Sequence, residues 1–390
     1  MRVRRNTPFV VALLLLASTC TTDRPPANDD DRSTVATGGP SATPSPIAVL
    51  GNGDPIPASC IGGSANARQT VAFVAEGKAW VVDPLGRRLS CLFEVPDAGP
   101  FAWGPQGDRV LLGDLEIRGI EGDDPNLEAT GQRVRAFDWG HPQGLALVFA
   151  TPGSRPPEKR FMDDGRVDRL DDLPVGRYLQ IAYHPSGLAL AFVVDRGGRQ
   201  RIWLSTNEGL DPVPLVFSKG GTRFTSIAFT SDGQHLVWTA QHAGDYPQIH
   251  SMDLGDRTGF TDGWRGDVGQ SAWNLRLPPT GTLQAFDVGE TCADRVATIA
   301  LGPRVARPAL PDADRPTTVL GWLDASTLMV GVAGCDEAMD VVAVDVSGNA
   351  TPIVLGADAA AARVITVDAP TEVPVPPVDA EEQPPPEGVG

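Results

Sequence analysis

A short unit recurs six times along the chain, and it constrains the fold more than any single motif does. Each copy begins with a strand-like triplet that ends in an aromatic residue, passes through a turn rich in Pro, Ser, Asp and Gly, and enters an apolar strand. The segments IAYHPSGLALAF (181–192) and IAFTSDGQHLVWTA (227–240) are clear copies. The aromatic residues lie 36 to 49 positions apart and are Trp103, Trp139, Tyr183, Phe229, Trp273 and Trp322.

Each unit contains further strand-like segments before the next aromatic residue. A third strand is predicted in RQRIWLST (199–206) and MDVVAVDV (339–346), and a fourth in PVPLVF (212–217). The clusters between strands are typical of tight turns, because proline fixes φ and glycine accepts positive φ. Four strands repeated every 40 to 50 residues or so are typical of propeller blades. We therefore predict an all-β fold, a β-propeller over residues 60–368.

The number of blades depends on how the two ends of the chain are used. Residues 70–95 contain three strand-like segments before the first aromatic triplet, and ARVITVD (362–368) is a spare strand after the sixth unit. Pairing them gives seven blades, with a closing blade shared by both chain ends and no open sheet edge at the junction. Six blades is the alternative if residues 362–368 remain outside the sheet.

The repeat resembles that of TolB-type propellers, which occur in many exported bacterial proteins. The shared features are W/Y/F-x-P/S-x-G, an apolar strand, and then I-x-x-x-D followed by Gly, with residues 183–209 and 229–255 the best matches. Two units depart from the pattern, since a longer turn separates Trp273 from Gly281 and no glycine follows Trp322. The resemblance implies a fold and no particular activity, because such folds carry many unrelated functions.

The first 20 residues are typical of an export signal. Arginines near the start precede an apolar run (8–17) and then small residues that lead to Cys20. This ending resembles the lipobox of bacterial lipoproteins, although Ala17 and Thr19 stand where Leu and Gly or Ala are usual. The resemblance implies that Cys20 is lipidated and anchors an exported protein to the cell membrane. A simple secretory signal or an uncleaved anchor is the alternative.

The segments on either side of the predicted propeller are polar and rich in proline. Residues 21–59 contain much Pro, Ser, Thr, Gly and Asp, and residues 369–390 are acidic without any basic residue. Such compositions bury too little apolar surface to order a chain. We predict a disordered linker over 21–59 and a disordered acidic, Pro-rich tail over 369–390.

Charge and cysteine content restrict the partners and the compartment. The net charge of −17 argues against nucleic acid and anionic lipid as partners. Four cysteines besides Cys20 suit an oxidising compartment, and four cysteines allow three pairings. Proximity in the sequence favours pairing Cys60 with Cys91 and Cys292 with Cys335. No paired CxxC spacing suggests a zinc site, and we expect neither a metal nor a cofactor.

Residues that suggest chemistry fit the repeat better than they fit an active site. His141 and His184 lie in equivalent turns, HPQG and HPSG, and we favour structural roles for all five histidines. The acidic segment DDGRVDRLDD (163–172) lacks the alternating ligands of a calcium loop and is interpreted as a solvated connection. Asp253 and Asp345 follow third strands, where a carboxylate can accept turn N–H groups. We expect the repeated aromatic residues to pack between blades rather than to form a ligand-binding ring.

These observations favour a non-enzymatic binding or scaffolding module at the cell envelope, lipid-anchored and monomeric, with a protein or an envelope molecule as its partner. A hydrolase or lyase whose carboxylates meet in the central channel is the alternative, because sites built from one residue per blade leave no contiguous motif. No catalytic residue can be identified, and no G-x-S-x-G nucleophile motif is present. A purely accessory stability module is the third possibility.

Overall fold

The chain divides into two compact units, Met1–Ser45 and Pro46–Gly390, and the structure describes only residues of the second. It is a computed structural model that describes residues 48–60, 69–95, 101–103, 109–112, 116–119, 136–140, 146–151, 153, 155–161, 166–206, 210–257, 259–335 and 337–363. The predicted signal, Cys20, most of the linker and the acidic tail therefore lie outside the described residues.

Throughout these ranges the regular elements are β-strands. The first fourteen in chain order are β1 Val49–Leu50, β2 Val71–Ala75, β3 Lys78–Val82, β4 Ser90–Glu94, β5 Phe101–Trp103, β6 Arg109–Leu112, β7 Glu116–Gly119, β8 Ala136–Gly140, β9 Ala146–Ala150, β10 Glu158–Phe161, β11 Val167–Arg169, β12 Arg177–Tyr183, β13 Leu190–Arg196 and β14 Arg199–Thr206. The others are β15 Leu210–Phe217, β16 Arg223–Phe229, β17 His235–Gln241, β18 Pro247–Asp253, β19 Thr261–Arg265, β20 Ala272–Arg276, β21 Gln284–Val288, β22 Val296–Gly302, β23 Val305–Pro308, β24 Thr317–Trp322, β25 Thr327–Val332, β26 Met339–Asp345, β27 Ala350–Ala357 and β28 Ala359–Ala362. The part of the chain that the structure describes contains no helix that could cross a membrane.

The described strands form seven antiparallel sheets, and the predicted propeller is confirmed as the fold class. Six sheets follow chain order from a first strand that carries an aromatic residue of the repeat: β5–β6–β7, β8–β11, β12–β15, β16–β19, β20–β23 and β24–β27. The seventh has the order β28–β2–β3–β4 and so joins the two ends of the chain. First strands of successive sheets contact one another, for example β12 with β16 and β16 with β20.

The sheet that joins the two chain ends is present, but the strand that the C-terminal part contributes to it, β28, is not the one expected from the sequence. β28 pairs with β2 from Val71↔Ala362 to Val74↔Ala359, so an alanine run forms the strand instead of ARVITVD. Small side chains suit this position, because a Cβ placed on Gly321 of β24 would lie 2.8 Å from the Ala362 Cβ. Alanine has a low strand propensity, so this run gave little strand signal in the sequence. Residues 364–368 lie outside the described residues.

The folded part begins earlier than predicted. β1 adds a fifth strand to the β24–β27 sheet through Val49↔Leu355, and Ala48, Leu50 and Ile56 are buried. At Gly51 the backbones approach so closely that a Cβ would lie 2.0 Å from the Pro352 carbonyl oxygen. The linker boundary at residue 59 is therefore wrong, because a four-residue apolar segment in a proline-rich context gave too weak a strand signal.

The acidic segment 163–172 is also more ordered than predicted where the structure describes it. Val167–Arg169 forms β11, the outer strand of its sheet, and pairs with β10. Its charged side chains face solvent and form exposed ion pairs, Arg166 with Asp168 and Arg169 with Asp171. The segment is solvated as expected, but it is a strand rather than a connection.

Candidate functional site

A cavity of about 600 Å³ lies where the first strands of all seven sheets meet. Its wall includes the ends of these strands and, at one end, residues of the turns that link first to second strands. We call this the first-turn end, defined by Pro185, Ser231 and Pro279. Cavities of this size at the centre of a closed ring of strands are common ligand sites.

One position of the repeat forms a ring around this cavity. It is the last residue of the first strand that pairs with the second strand, as in Tyr183↔Leu190 and Phe229↔Leu236, except in β8, where the Gly140↔Ala146 pair follows Trp139↔Leu147. The described residues that line the cavity here are Trp103, Trp139, Tyr183, Phe229, Arg276, Trp322 and, just beyond β28, Arg363. Five aromatic residues and two arginines therefore surround the cavity.

The fifth unit was aligned wrongly from the sequence, because its ring residue is Arg276 and not Trp273. Arg276 pairs with Ala285 in the same way as Tyr183 pairs with Leu190. Trp273 lies three residues earlier, and the Arg295 guanidinium lies over its ring at 4.3 Å from the centroid. The register shifts between Trp273 and Arg276 at Asn274, whose φ is +54°. Alignment of LRLPP (275–279) with AYHPS (182–186) identifies Arg276 as the ring residue, whereas a pattern that requires an aromatic residue at this position misses it.

The remaining repeat aromatics are buried, as predicted from the sequence. Trp103, Trp139, Tyr183, Phe229 and Trp322 have at most 8% of their surface exposed, so each packs mainly between sheets and presents only a small part to the cavity. The Trp322 Nε1–H donates to the Arg276 carbonyl oxygen at 3.0 Å and links two neighbouring first strands. The predicted packing role is therefore confirmed for these five residues.

Arg276 places a charged group in the cavity wall. Its side chain is accessible from the cavity, and its guanidinium donates no hydrogen bond to any described residue. Desolvation lowers its pKa, and the nearby charges of Asp138 and Asp287 act in the opposite direction. An arginine stays charged under such conditions, so the cavity holds a cation with unused hydrogen-bond donors.

Asp138 is the carboxylate of the described cavity wall, and it is held by the backbone. Its Oδ2 accepts the Tyr183 N–H at 2.7 Å and its Oδ1 accepts the Trp139 N–H at 2.9 Å. Burial raises its pKa to about 6, against the effect of these two hydrogen bonds and of the Arg276 charge. The arrangement ties β8 to β12, so a structural role accounts for the carboxylate.

Both predicted disulfides are present. Cys60 is bonded to Cys91 and Cys292 to Cys335, with Cα separations of 5.3 and 5.5 Å. The second bond joins the β21–β22 loop to the β25–β26 loop and so links two adjacent sheets, as the sequence predicted. Disulfides of this kind are typical of proteins that leave the cytosol.

The structural role predicted for His184 is confirmed. The residue is fully buried, its Nδ1 lies 2.7 Å from the Ser186 hydroxyl and its Nε2 lies 2.9 Å from the Gly233 carbonyl oxygen. Its ring edge meets Phe229. His184 thus joins its own turn to the equivalent turn of the next sheet. His141 lies outside the described residues.

Two other histidines form a buried pair that the sequence did not reveal. The Nε2 atoms of His242 and His250 are 3.1 Å apart, and the His250 Nδ1 lies 2.8 Å from an Asp262 carboxylate oxygen. Burial lowers the pKa of His250 to about 4, although Asp262 acts in the opposite direction. In the described part of the chain no group of three His, Cys, Asp or Glu side chains is arranged to hold a metal. The hairpin register brings the two residues together, and their sequence spacing gave no signal.

The two aspartates predicted to cap turns do so. The Asp253 Oδ1 accepts the N–H groups of Gly255 and Asp256 at 2.7 and 3.2 Å. The Asp345 Oδ1 accepts the N–H groups of Ser347 and Asn349. Both carboxylates therefore stabilise the turn that follows the third strand of their unit, between β18 and β19 and between β26 and β27.

No protein family and no curated protein matches this sequence. Similar solved structures include TolB from Acinetobacter baumannii, with 13% identity, a TM-score of 0.43, and coverage of 76% of this chain and 66% of that one. They also include a prolyl endopeptidase structure, with 10% identity, a TM-score of 0.53, and coverage of 76% of this chain and 50% of that one. A chain of a nidogen/laminin complex matches with 11% identity, a TM-score of 0.47, and coverage of 77% and 100%.

These likenesses concern the fold alone, since all identities are far below the level at which activities are shared. The endopeptidase comparison supports the propeller architecture. The chain spans about two thirds of the length of the A. baumannii TolB and half that of the endopeptidase.

Proposed function

We propose that this chain is an exported, lipid-anchored propeller that acts as a binding or scaffolding module at the cell envelope. Three features support the proposal: two disulfides, an N-terminal sequence that resembles a lipoprotein signal ending at Cys20, and a polar, proline-rich segment between Cys20 and β1. Such a segment acts as a tether that lets an anchored domain reach outward from the membrane.

The observation that carries the binding role is Arg276 in the central cavity. Its guanidinium is accessible, charged and without a hydrogen-bond partner among the described residues, and the aromatic ring residues stand around it. Arginine and aromatic residues in concave sites commonly dominate binding energies. We propose that the cavity binds an anionic group, such as a carboxylate, carried by a protein or another envelope molecule.

The strands around the cavity are held rigidly, and this favours binding because little conformational entropy is lost when a ligand binds. Asp287, fully buried, accepts hydrogen bonds from the Asn274 side chain, the Thr318 hydroxyl and the Val319 N–H. The Ser226 hydroxyl accepts the Leu275 N–H in the same way. The Asn274 bond joins two strands of one sheet, whereas the bonds from Thr318, Val319 and Leu275 cross from one sheet to the next and fix the spacing of the strands.

We do not retain the hydrolase or lyase alternative. That alternative requires carboxylates from several blades to meet in the channel, and Asp138 is the one carboxylate among the described residues of the wall. Both oxygens of Asp138, the carboxylate of the described wall, accept backbone N–H groups. The described part of the wall therefore favours ligand binding over proton transfer.

The anchor is tested by metabolic labelling with an alkyne-bearing fatty acid in the native host. We expect label on the wild-type protein and none on Cys20→Ala, with the wild type in the membrane fraction. A wild-type protein that stays unlabelled and soluble outside the cell would show a secreted propeller and remove the anchor from the proposal.

The binding site is tested by photo-crosslinking in living cells. A benzoylphenylalanine at Ser231, at the first-turn end, should form adducts with an envelope component. The yield of these adducts should decrease about tenfold when Arg276→Gln is added, because the substitution removes a charge-assisted hydrogen bond. The matched control is the same probe at exposed Lys219, which precedes β16 and lies at the opposite end of that strand. Equal adducts at both positions, or adducts independent of Arg276, would contradict the proposed site.

A further inference from the structure

The described chain ends beside the central cavity. In the other sheets the first strand leads into a turn and then the second strand, but in the closing sheet β28 has no such turn because β2 comes from the other end of the chain. The Arg363 N–H donates to the Thr70 carbonyl oxygen at 2.8 Å, and Arg363 lines the cavity next to Trp103. The described chain therefore ends at the first-turn end of the cavity.

The 27 residues after Arg363 have a composition that complements the cavity. They begin with the apolar segment VITV (364–367) and contain no basic residue. Their acidic residues are Asp368, Glu372, Asp379, Glu381, Glu382 and Glu387. The cavity offers apolar ring edges and the accessible guanidinium of Arg276, so the order of apolar and acidic residues matches what the wall presents.

The first acidic residues are within reach of Arg276. An extended chain advances by at most about 3.3 to 3.6 Å per residue, so Asp368 can lie up to about 17 Å from Arg363. A sphere with the cavity volume of about 600 Å³ is only about 10 Å across. Residues 364–372 are therefore long enough to turn back across the first-turn end.

Attachment to the ring makes even a weak contact effective. A short tether gives an effective concentration of the order of millimolar, so a segment whose free peptide binds only in the millimolar range still occupies the site for much of the time. A carboxylate paired with Arg276 also supplies the hydrogen-bond acceptor that the described residues do not. Intramolecular occupation thus requires no exceptional affinity.

We propose that residues 364–372 of this chain occupy the first-turn end of the central cavity, with the carboxylate of Asp368 or Glu372 on the Arg276 guanidinium. This inference rests on the proposed function only in using the same cavity. It makes the tail an internal competitor of the anionic ligand, so the cavity is available to that ligand only when the tail is displaced.

The test uses the full-length exported protein with benzoylphenylalanine at Val367, and the same probe at Val389 as the matched control. Irradiation of dilute protein should give crosslinks within one chain, mapped by mass spectrometry to the cavity wall, for the Val367 probe and not for the Val389 probe. The crosslink yield should fall about threefold to tenfold with Arg276→Gln or with Asp368→Asn and Glu372→Gln together. Glu387→Gln changes the same charge farther along the tail and should leave the yield unchanged.

Crosslinks that map outside the cavity, that join two chains, or that persist in Arg276→Gln would overturn the inference. The proposed function is judged separately, by the Ser231 adducts with an envelope component. If those adducts form while the Val367 crosslinks do not, the cavity binds an external ligand and the tail inference fails. If both hold, Asp368→Asn with Glu372→Gln should increase the Ser231 adducts, and a decrease would contradict competition.

Discussion

The buried His242–His250 pair makes the stability of the propeller depend on pH in a calculable way. The His250 Nδ1–H donates to Asp262, so the neutral His250 Nε2 accepts a hydrogen bond from the His242 Nε2–H. A proton added to the His250 Nε2 would face that N–H at 3.1 Å unless His242 changes tautomer. The other tautomer of His242 would carry its hydrogen on Nδ1, which is buried and has no hydrogen-bond partner among the described residues. Protonation is therefore disfavoured in the folded state.

The magnitude follows from the pKa of His250, which burial lowers from 6.5 to about 4. A lowered histidine pKa means that the unfolded chain binds the proton more tightly, so the folded state is favoured fully above pH 6.5 and loses stability as the pH falls toward 4. Each unit of pKa difference corresponds to about 1.4 kcal/mol. The contribution of His250 to the free energy of unfolding should thus fall by about 2 kcal/mol between pH 7.5 and pH 5, and by about 3 kcal/mol once the pH is below 4.

The assay is urea denaturation of the disulfide-intact protein at pH 7.5 and pH 5, with wild type compared to His250→Gln. The variant will be less stable at pH 7.5, because it loses the contacts with Trp238 and Asp262, but it should lose about 2 kcal/mol less than wild type on acidification. His235→Gln, at the start of β17, controls for removal of a histidine from the same sheet. An equal loss of stability in wild type and His250→Gln would refute the reasoning.

Three further perturbations test the packing between sheets. Replacing Cys292 and Cys335 by Ser opens a loop of 43 residues and should lower the free energy of unfolding by about 2 to 4 kcal/mol, measured by urea denaturation. Gly51→Ala should lower the free energy of unfolding by about 1 to 3 kcal/mol and make β1 sensitive to protease, because the new Cβ would clash with the Pro352 backbone. The control Gly302→Ala places its Cβ in open space and should leave the stability nearly unchanged. Asp287→Ala leaves the Thr318 hydroxyl and the Val319 N–H without this acceptor, while Asn274 keeps its bond to the Val319 carbonyl oxygen. The substitution should lower the free energy of unfolding by about 2 to 4 kcal/mol, and an effect below about 0.5 kcal/mol in chemical denaturation would contradict the bridging role.

The sequence predicts the fold well because the same order of apolar triplet, turn and apolar strand occurs in several copies. Each apolar triplet, turn and strand has its own signature, and errors in one copy do not obscure the others. The disulfide pairs were also predictable, since loops of adjacent repeats lie at the same end of the ring. The predictions failed where one copy departs from the pattern, as at Arg276, which replaces an aromatic residue at the ring position.

Other features escaped prediction because they depend on tertiary packing. β28 is an alanine run with low strand propensity, selected by the close approach of Gly321 on the neighbouring sheet. β1 has only two residues and is stabilised by its pairing with β27. The contact between His242 and His250 depends on how a hairpin and the outer strand with Asp262 pack together, and no sequence motif records that geometry.

The pairing of β28 with β2 also sets the order in which the protein can fold. The four residue pairs join positions that are 285 to 291 residues apart, and closing a loop of that length costs about 5 kcal/mol of chain entropy. Synthesis of the chain proceeds from the N-terminus, so the ring cannot close until residues 359–362 have been made. Until then the edge of β2 is unpaired and can recruit a strand from another chain. The time at which residues 359–362 become available therefore affects the yield of closed rings, in addition to the stability of the finished propeller.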